Sequence, residues 1–137
     1  MVDGGDPGPG RSGGVVDPAG TAHRRLVHLA TPDEWDAAVQ AGALAPPSLA
    51  TEGFVHLSTL DQAATTADRH FAGADELVLV VVDPQRLPDA VSWAESHPGE
   101  HFPHHHGTVP LDAVVATHRW RRRPQHGFTL PAALRED

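Results

Sequence analysis

Cysteine is absent from the 137-residue chain, and so is lysine. The first absence excludes disulfides, thiol nucleophiles and cysteine-ligated zinc, so any metal site would have to be built from His, Asp or Glu. The second leaves arginine as the only strong base, and 10 Arg against 18 Asp and Glu give a formal charge of −8. That balance argues against broad nucleic-acid binding, which rests on cations neutralising phosphates. Long apolar runs are also missing: no uncharged stretch approaches the ~20 residues that span a bilayer. The N-terminus has neither the basic region nor the apolar core of a secretory signal, so a cytoplasmic protein with no membrane partner is expected. No internal repeat, phosphate-cradling glycine loop, dinucleotide fingerprint or nucleophile elbow is found.

What the chain has in quantity is glycine and proline, 13 of each, and 11 histidines. Residues 1–22, MVDGGDPGPGRSGGVVDPAGTA, offer almost no apolar surface to offset chain entropy and read as a disordered tail. Residues 23–134 then form a single domain, a length that suits one core. Histidine is the side chain whose unperturbed pKa best suits proton transfer and metal ligation near neutral pH.

Leu26–Ala30 (LVHLA) reads as a strand with Val27 and Leu29 on one face and His28 on the other. Thr31 as N-cap, Pro32 at the first helical position and the acids Asp33 and Glu34 start a helix. Trp35, Ala38 and Val39 are its apolar stripe, Gly42 ends it, and Ala43–Thr51 with its Pro46-Pro47 pair reads as loop. Phe54–Ser58 is a second strand, with Val55 and Leu57 on one side and Phe54, His56 and Ser58 on the other. A second helix runs from about Leu60 to Phe71, capped by Thr59 or Asp61 and closed by Gly73. Glu76–Val82 (ELVLVVV) is the pattern of a strand covered on both faces. Val91–Ala94, Leu111–Trp120 and Gly127–Leu130 complete the strands, and Ser96–Pro110 reads mostly as loop. Too few units repeat for a doubly wound sheet, so the fold class is α+β: a small mixed β-sheet domain with two helices.

Three constellations could carry chemistry. His28 and His56 each sit between aliphatic neighbours, so their rings share a cleft if the two strands are neighbours in one sheet. The same alternation is met by ordinary polar residues on a solvent face. Glu100–Gly107 (EHFPHHHG) places His104 and His106 on one face if extended. With His101, Glu100 or a strand histidine these could hold Zn²⁺ or another divalent ion, although the spacing matches no strong helical metal signature and a solvated loop is the alternative. Arg119-Trp120-Arg121-Arg122-Arg123 could meet a phosphate, or be a solvated strand end.

The order of these motifs resembles the domain of unknown function 952 family. The matching stretches are HLATPDEWDAAVQAGAL, EGFVHLST, HFAGADELVLVVVD, EHFPHHHG, LDAVV and GFTLP, over most of His28–Pro131. The chain departs from the family where an aliphatic residue and Tyr usually follow FPH, having His105 and His106 there. It departs again after Trp93, where Ala94 and then Glu95 stand in place of the usual Glu. The family in turn is similar to the ADP-ribosyltransferase-type fold, related to RNA 2′-phosphotransferases. That resemblance implies an NAD⁺ or nucleotide site with His28 and His56 as catalytic and ligand-binding residues. It implies that Ser58, Thr59, His104 and His106 also contact the ligand. Glu100, or secondarily Glu52, would be the carboxylate that stabilises positive charge at the ribose. The rival expectations are a non-catalytic small-ligand or protein-binding module and a His-ligated metalloprotein.

Overall fold

The computed structural model describes residues 25–125, 127–129 and 131, with His97 by its backbone alone. The expected tail at residues 1–22 lies outside these residues, as do Leu130 and both ends of the expected domain. The chain is a mixed α+β fold running β1 (Leu26–Ala30), α1 (Pro32–Ala41), β2 (Ala43–Leu44), α2 (Pro47–Thr51), β3 (Val55–His56), β4 (Ser58–Thr59), α3 (Leu60–His70), β5 (Glu76–Val82), β6 (Ser92–His97), β7 (Glu100–His105), β8 (Val109–Pro110) and β9 (Val114–Arg121). No helix among the described residues is long and apolar enough to cross a membrane.

The run ELVLVVV becomes β5, an inner strand of a four-stranded sheet in the order β4-β1-β5-β9. It pairs antiparallel with β1 from Leu26↔Val82 to Ala30↔Val78 and with β9 from Glu76↔Arg121. Its apolar residues do not alternate with polar ones because both faces are covered. On one face Leu77, Leu79 and Val81 join Val27 and Leu29 beneath Leu60, Ala63 and Ala67 of α3. On the other, Val78, Val80 and Val82 join Leu26 and Ala30 against Ala38, Leu44, Val55, Trp93 and Val109. That second layer comes from α1, the β2-β8 pair and a three-stranded antiparallel sheet in the order β3-β7-β6. Antiparallel sheets commonly leave one face in water; here neither face of the inner strands is wet.

Both helix starts follow from capping. Thr31 accepts from the Glu34 N–H with Pro32 following it, and Gly42 ends α1 at φ 85, a left-handed conformation that glycine adopts without strain. Thr59, not Asp61, caps α3 in a reciprocal capping box with Gln62, and Phe71 ends it ahead of Gly73.

Several expectations are corrected. Three helices are present, not two, because Ala43–Thr51 is not loop: it holds β2 and the short α2, which Pro47 opens at the first helical position, where a missing N–H costs nothing. Ser96–Pro110 is not loop either, since β6 and β7 form a hairpin from Ser92↔His104 to His97↔Glu100. Pro103 is tolerated in β7 because its carbonyl serves the β3 side, accepting from the Leu57 N–H at 3.0 Å where the short β3 ladder ends. Val39 is 52% exposed, for successive helical residues diverge by ~100° and it is Ala38 and Trp35 that pack against the core. Leu111–Ala113 is a 3₁₀ turn before β9. The segment from Gly127 contributes one bridge to Arg123 rather than a strand, and its anchor is Phe128, buried beside Trp120.

Candidate functional site

The segment expected as one strand, Phe54–Ser58, changes sheets in mid-course. Val55 and His56 pair with His105 and His104 of β7, whereas Ser58 and Thr59 pair with Val27 and Leu26 of β1. Leu57, buried between them, makes the crossing. This crossing brings the two strand histidines together, but not ring to ring. His28 is 6% exposed, because its side of β1 is covered, so the solvent-face alternative does not apply to it. Its Nδ1 donates to the His56 carbonyl at 2.8 Å and its Nε2 faces Glu34 Oε2 at 2.9 Å. Glu34 comes from the first turn of α1, where its own N–H is tied to Thr31 Oγ1 at 3.1 Å. Both nitrogens of a buried imidazole are thus satisfied, one by each neighbouring segment.

The His56 side chain, half-exposed, reaches back to Glu52 with Nε2 3.2 and 3.3 Å from the two carboxylate oxygens. Beside it Phe54 stacks on His104, with centroids 4.0 Å apart and planes 10° from parallel. The same phenyl ring meets His56 at 4.8 Å and His106 at 5.7 Å in edge contacts. Burial, reinforced by the charges of His56 and His106 and opposed by Glu52, lowers the pKa of His104 to about 4. His104 is therefore an uncharged ring at neutral pH, free to stack without repelling a cation.

These side chains wall a cleft of about 660 Å³, within the ~300–1,000 Å³ typical of small-molecule sites. Its lining includes His28, Glu34, Glu52, His56, Ser58 and His70, the rings of Phe54, Phe102 and His104, and Ala94, Glu95 and Ser96 of β6. Phe102 and His104 share a face because they are two residues apart on β7.

Of the residues expected at a site, His28, His56, Ser58 and His104 are on this wall. His106 is not on the wall: its ring meets Phe54 edge-on and its Nε2 is 2.8 Å from the Ser92 hydroxyl. Thr59 is occupied as the helix cap. Glu100 does not converge with the histidines: it is absent from the wall and sits 3.9 Å from Arg69, because β7 places it at the far end of the hairpin beside His97. The loop expected to bring it inward is a regular strand. Glu34, Phe54 and Phe102 are wall residues beyond those expected, and Glu95, the acid two residues after Trp93, joins them. For the two phenylalanines the signal was available, since each shares a strand face with a chosen histidine; Glu34 was accounted for as a first-turn acid. Among the described residues no group of three His, Asp or Glu is placed to hold a metal ion. Arg119 and Arg121 pair with Glu76, and Arg122 with Asp68, all away from the cleft wall.

The sequence model of the family described as "Protein of unknown function (DUF952)" matches residues 29–117, from β1 into β9. The chain belongs to this family. Every wall residue except His28, one position before the match, lies inside that range. The crystal structure of protein CC0527 from Caulobacter crescentus is similar to this DUF952 domain, with a TM-score of 0.70 and 28% identity over 77% of this chain and 94% of that one. The solution NMR structure of CC0527 gives a TM-score of 0.64 and 28% identity, over 76% of this chain and 90% of that one. No curated protein matches the chain.

Proposed function

We propose that the cleft binds NAD⁺ or a related nucleotide and that the domain acts on it in the manner of an ADP-ribosyltransferase, in keeping with the wider resemblance to RNA 2′-phosphotransferases. The observation that carries this reading is the junction at residue 56. A first-strand histidine grips its backbone, a carboxylate grips its side chain, and a flat aromatic face stands beside it. The cleft's size and its mixture of aromatic and polar groups suit a ring joined to a sugar. Bound there, NAD⁺ would supply its glycosidic bond to nicotinamide as the bond that breaks, the electron pair leaving with the ring nitrogen and the ribose passing to an acceptor oxygen.

The roles of the chain's own residues follow from their partners. The Phe54–His104 stack presents apolar surface to a planar ring. His56 and Ser58 offer hydrogen bonds to ribose hydroxyls. Glu52, half-exposed beside His56, stabilises positive charge at the sugar and accepts the proton released by the acceptor hydroxyl. In this reading the carboxylate role passes from Glu100 to Glu52. His28 spends both nitrogens inside the protein, so it is a positioning residue acting through the His56 carbonyl. The test is calorimetric titration with NAD⁺, followed by assay of nicotinamide release with candidate acceptors. Binding with release that Glu52→Gln abolishes supports the reading; no binding at millimolar NAD⁺ sinks it.

One observation favours a second reading, a non-catalytic ligand-binding module. The internal satisfaction of His28 leaves the buried histidine with no free nitrogen for a ligand. That module binds its ligand without releasing nicotinamide.

A further inference from the structure

Resting on the nucleotide reading of the cleft, we infer that the site selects a positively charged aromatic ring on an uncharged sugar, a pyridinium-type nucleoside, and leaves any phosphate groups in solvent. Leaving aside the imidazoles of His28, His56, His70 and His104, the charged side chains of the wall are of one sign. Glu34, Glu52 and Glu95 line it, and no arginine does among the described residues. Lysine is absent from the chain altogether. Most of the described arginines are committed elsewhere: Arg25 and Arg86 to Asp83, Arg69 to Glu100, Arg119 and Arg121 to Glu76, and Arg122 to Asp68.

Phosphates are also held by backbone N–H groups at helix N-termini, and the helix starts that reach this wall are poor hosts. At α1, Pro32 has no N–H, the Glu34 N–H is bonded to Thr31 Oγ1, and the Glu34 carboxylate is itself on the wall. At α2, Pro46 and Pro47 have no N–H to offer and Ser48 spends its hydroxyl on the Phe54 carbonyl at 2.8 Å. A diphosphate placed here would meet three carboxylates with no arginine or lysine on the wall to balance its charge, which is costly.

A flat cation meets the opposite situation. Phe54, Phe71 and Phe102 all line the cleft, and aromatic faces attract cations. The ring stacked on Phe54 belongs to His104, which burial keeps uncharged at neutral pH. Glu52 lies within hydrogen-bonding reach of His56, whose ring is in edge contact with Phe54, so a carboxylate stands close to the aromatic cluster on the wall.

The experiment is calorimetry on the full chain at neutral pH and low salt with four probes: nicotinamide riboside, its uncharged dihydro form, NAD⁺ and ADP-ribose. Nicotinamide riboside and NAD⁺ are expected to bind with affinities within about three-fold of each other, and the dihydro form about ten-fold more weakly. ADP-ribose, which has the phosphates without the ring, gives no saturable heat. Glu52→Gln, at an exposed position that folding tolerates, weakens the cationic probes and leaves the dihydro form unchanged. If the dihydro form or ADP-ribose matches NAD⁺, selection by ring charge is wrong while the nucleotide reading stands. If none of the four binds, the nucleotide reading itself fails and takes the inference with it.

Discussion

His105 stands next to the cleft strand's working face yet points into the core, and replacing it with leucine should stabilise the protein. The ring is 1% exposed and paired across the sheet with Val55. Its Nδ1 donates to the Gly107 carbonyl at 3.0 Å, while Nε2 has no hydrogen-bond partner among the described residues. A buried unsatisfied polar atom costs about 1–3 kcal/mol, whereas the hydrogen bond forfeited with Nδ1 is worth about 1 kcal/mol. Leucine adds the transfer of a fully apolar side chain, roughly 1.5–3 kcal/mol before any strain from its different shape. After allowance for that strain, His105→Leu is expected to gain about 1–2 kcal/mol, which for a domain near 100 residues raises Tm by about 5–10 °C. Urea unfolding with an unchanged m-value is the assay. A loss of stability at unchanged m refutes the reasoning, because it means that Nε2 is satisfied and the ring contributes to the fold. The family resemblance places an aliphatic residue at this position, in line with the predicted sign.

Three further predictions test other parts of the account. Glu34→Ala leaves His28 Nε2 unpaired in a buried site and should cost about 2–3 kcal/mol, somewhat below the usual cost of breaking a fully buried pair because Glu34 is partly exposed. Glu34→Gln keeps an acceptor and should cost about 1 kcal/mol by the same unfolding assay; equal losses for the two would show that the hydrogen bond is immaterial. His104, with a folded pKa of about 4 against 6.5, refuses a proton that the unfolded chain takes up between those values. Stability is therefore full above pH 6.5 and falls as the pH drops towards 4. His104→Phe should flatten that part of a urea-midpoint profile, and an unchanged slope would assign it to other groups. Phe128→Ala removes a ring that is 1% exposed, packed against Trp120 and covered by the Arg122 guanidinium at 4.5 Å, and should cost about 3–4 kcal/mol in chemical denaturation. A loss below about 1 kcal/mol would mean that the segment after β9 is not part of the core.

Local chemistry was the legible part of this sequence. Thr31, Pro32 and Gly42 set both ends of α1, and ELVLVVV announced a strand with both faces covered. What escaped was decided by tertiary partners. Pro47 and Pro103 stand in segments that read as loop, but Pro47 opens a helix, and Pro103 sits where a ladder ends, a position not visible without the neighbouring strand. Alternation placed His56 and Phe54 on one face correctly, yet could not reveal that the chain changes sheets at Leu57 and so turns the His56 carbonyl, not its ring, towards His28. Glu34 was hidden because a first-turn acid already has an explanation in the helix dipole. Glu100 drew attention as a carboxylate near histidines in sequence, and a strand six residues long carries it away from them.

The central claim, that a nucleotide occupies this cleft, is tested most directly by following the imidazole resonances of the chain in two-dimensional NMR while NAD⁺ is added. The account predicts saturable shifts at His56 and His104, a smaller relayed shift at His28, and none at His118 on β9, with His56→Ala weakening the titration about ten-fold or more. Shifts confined to histidines away from the cleft, or none at millimolar NAD⁺, would contradict it.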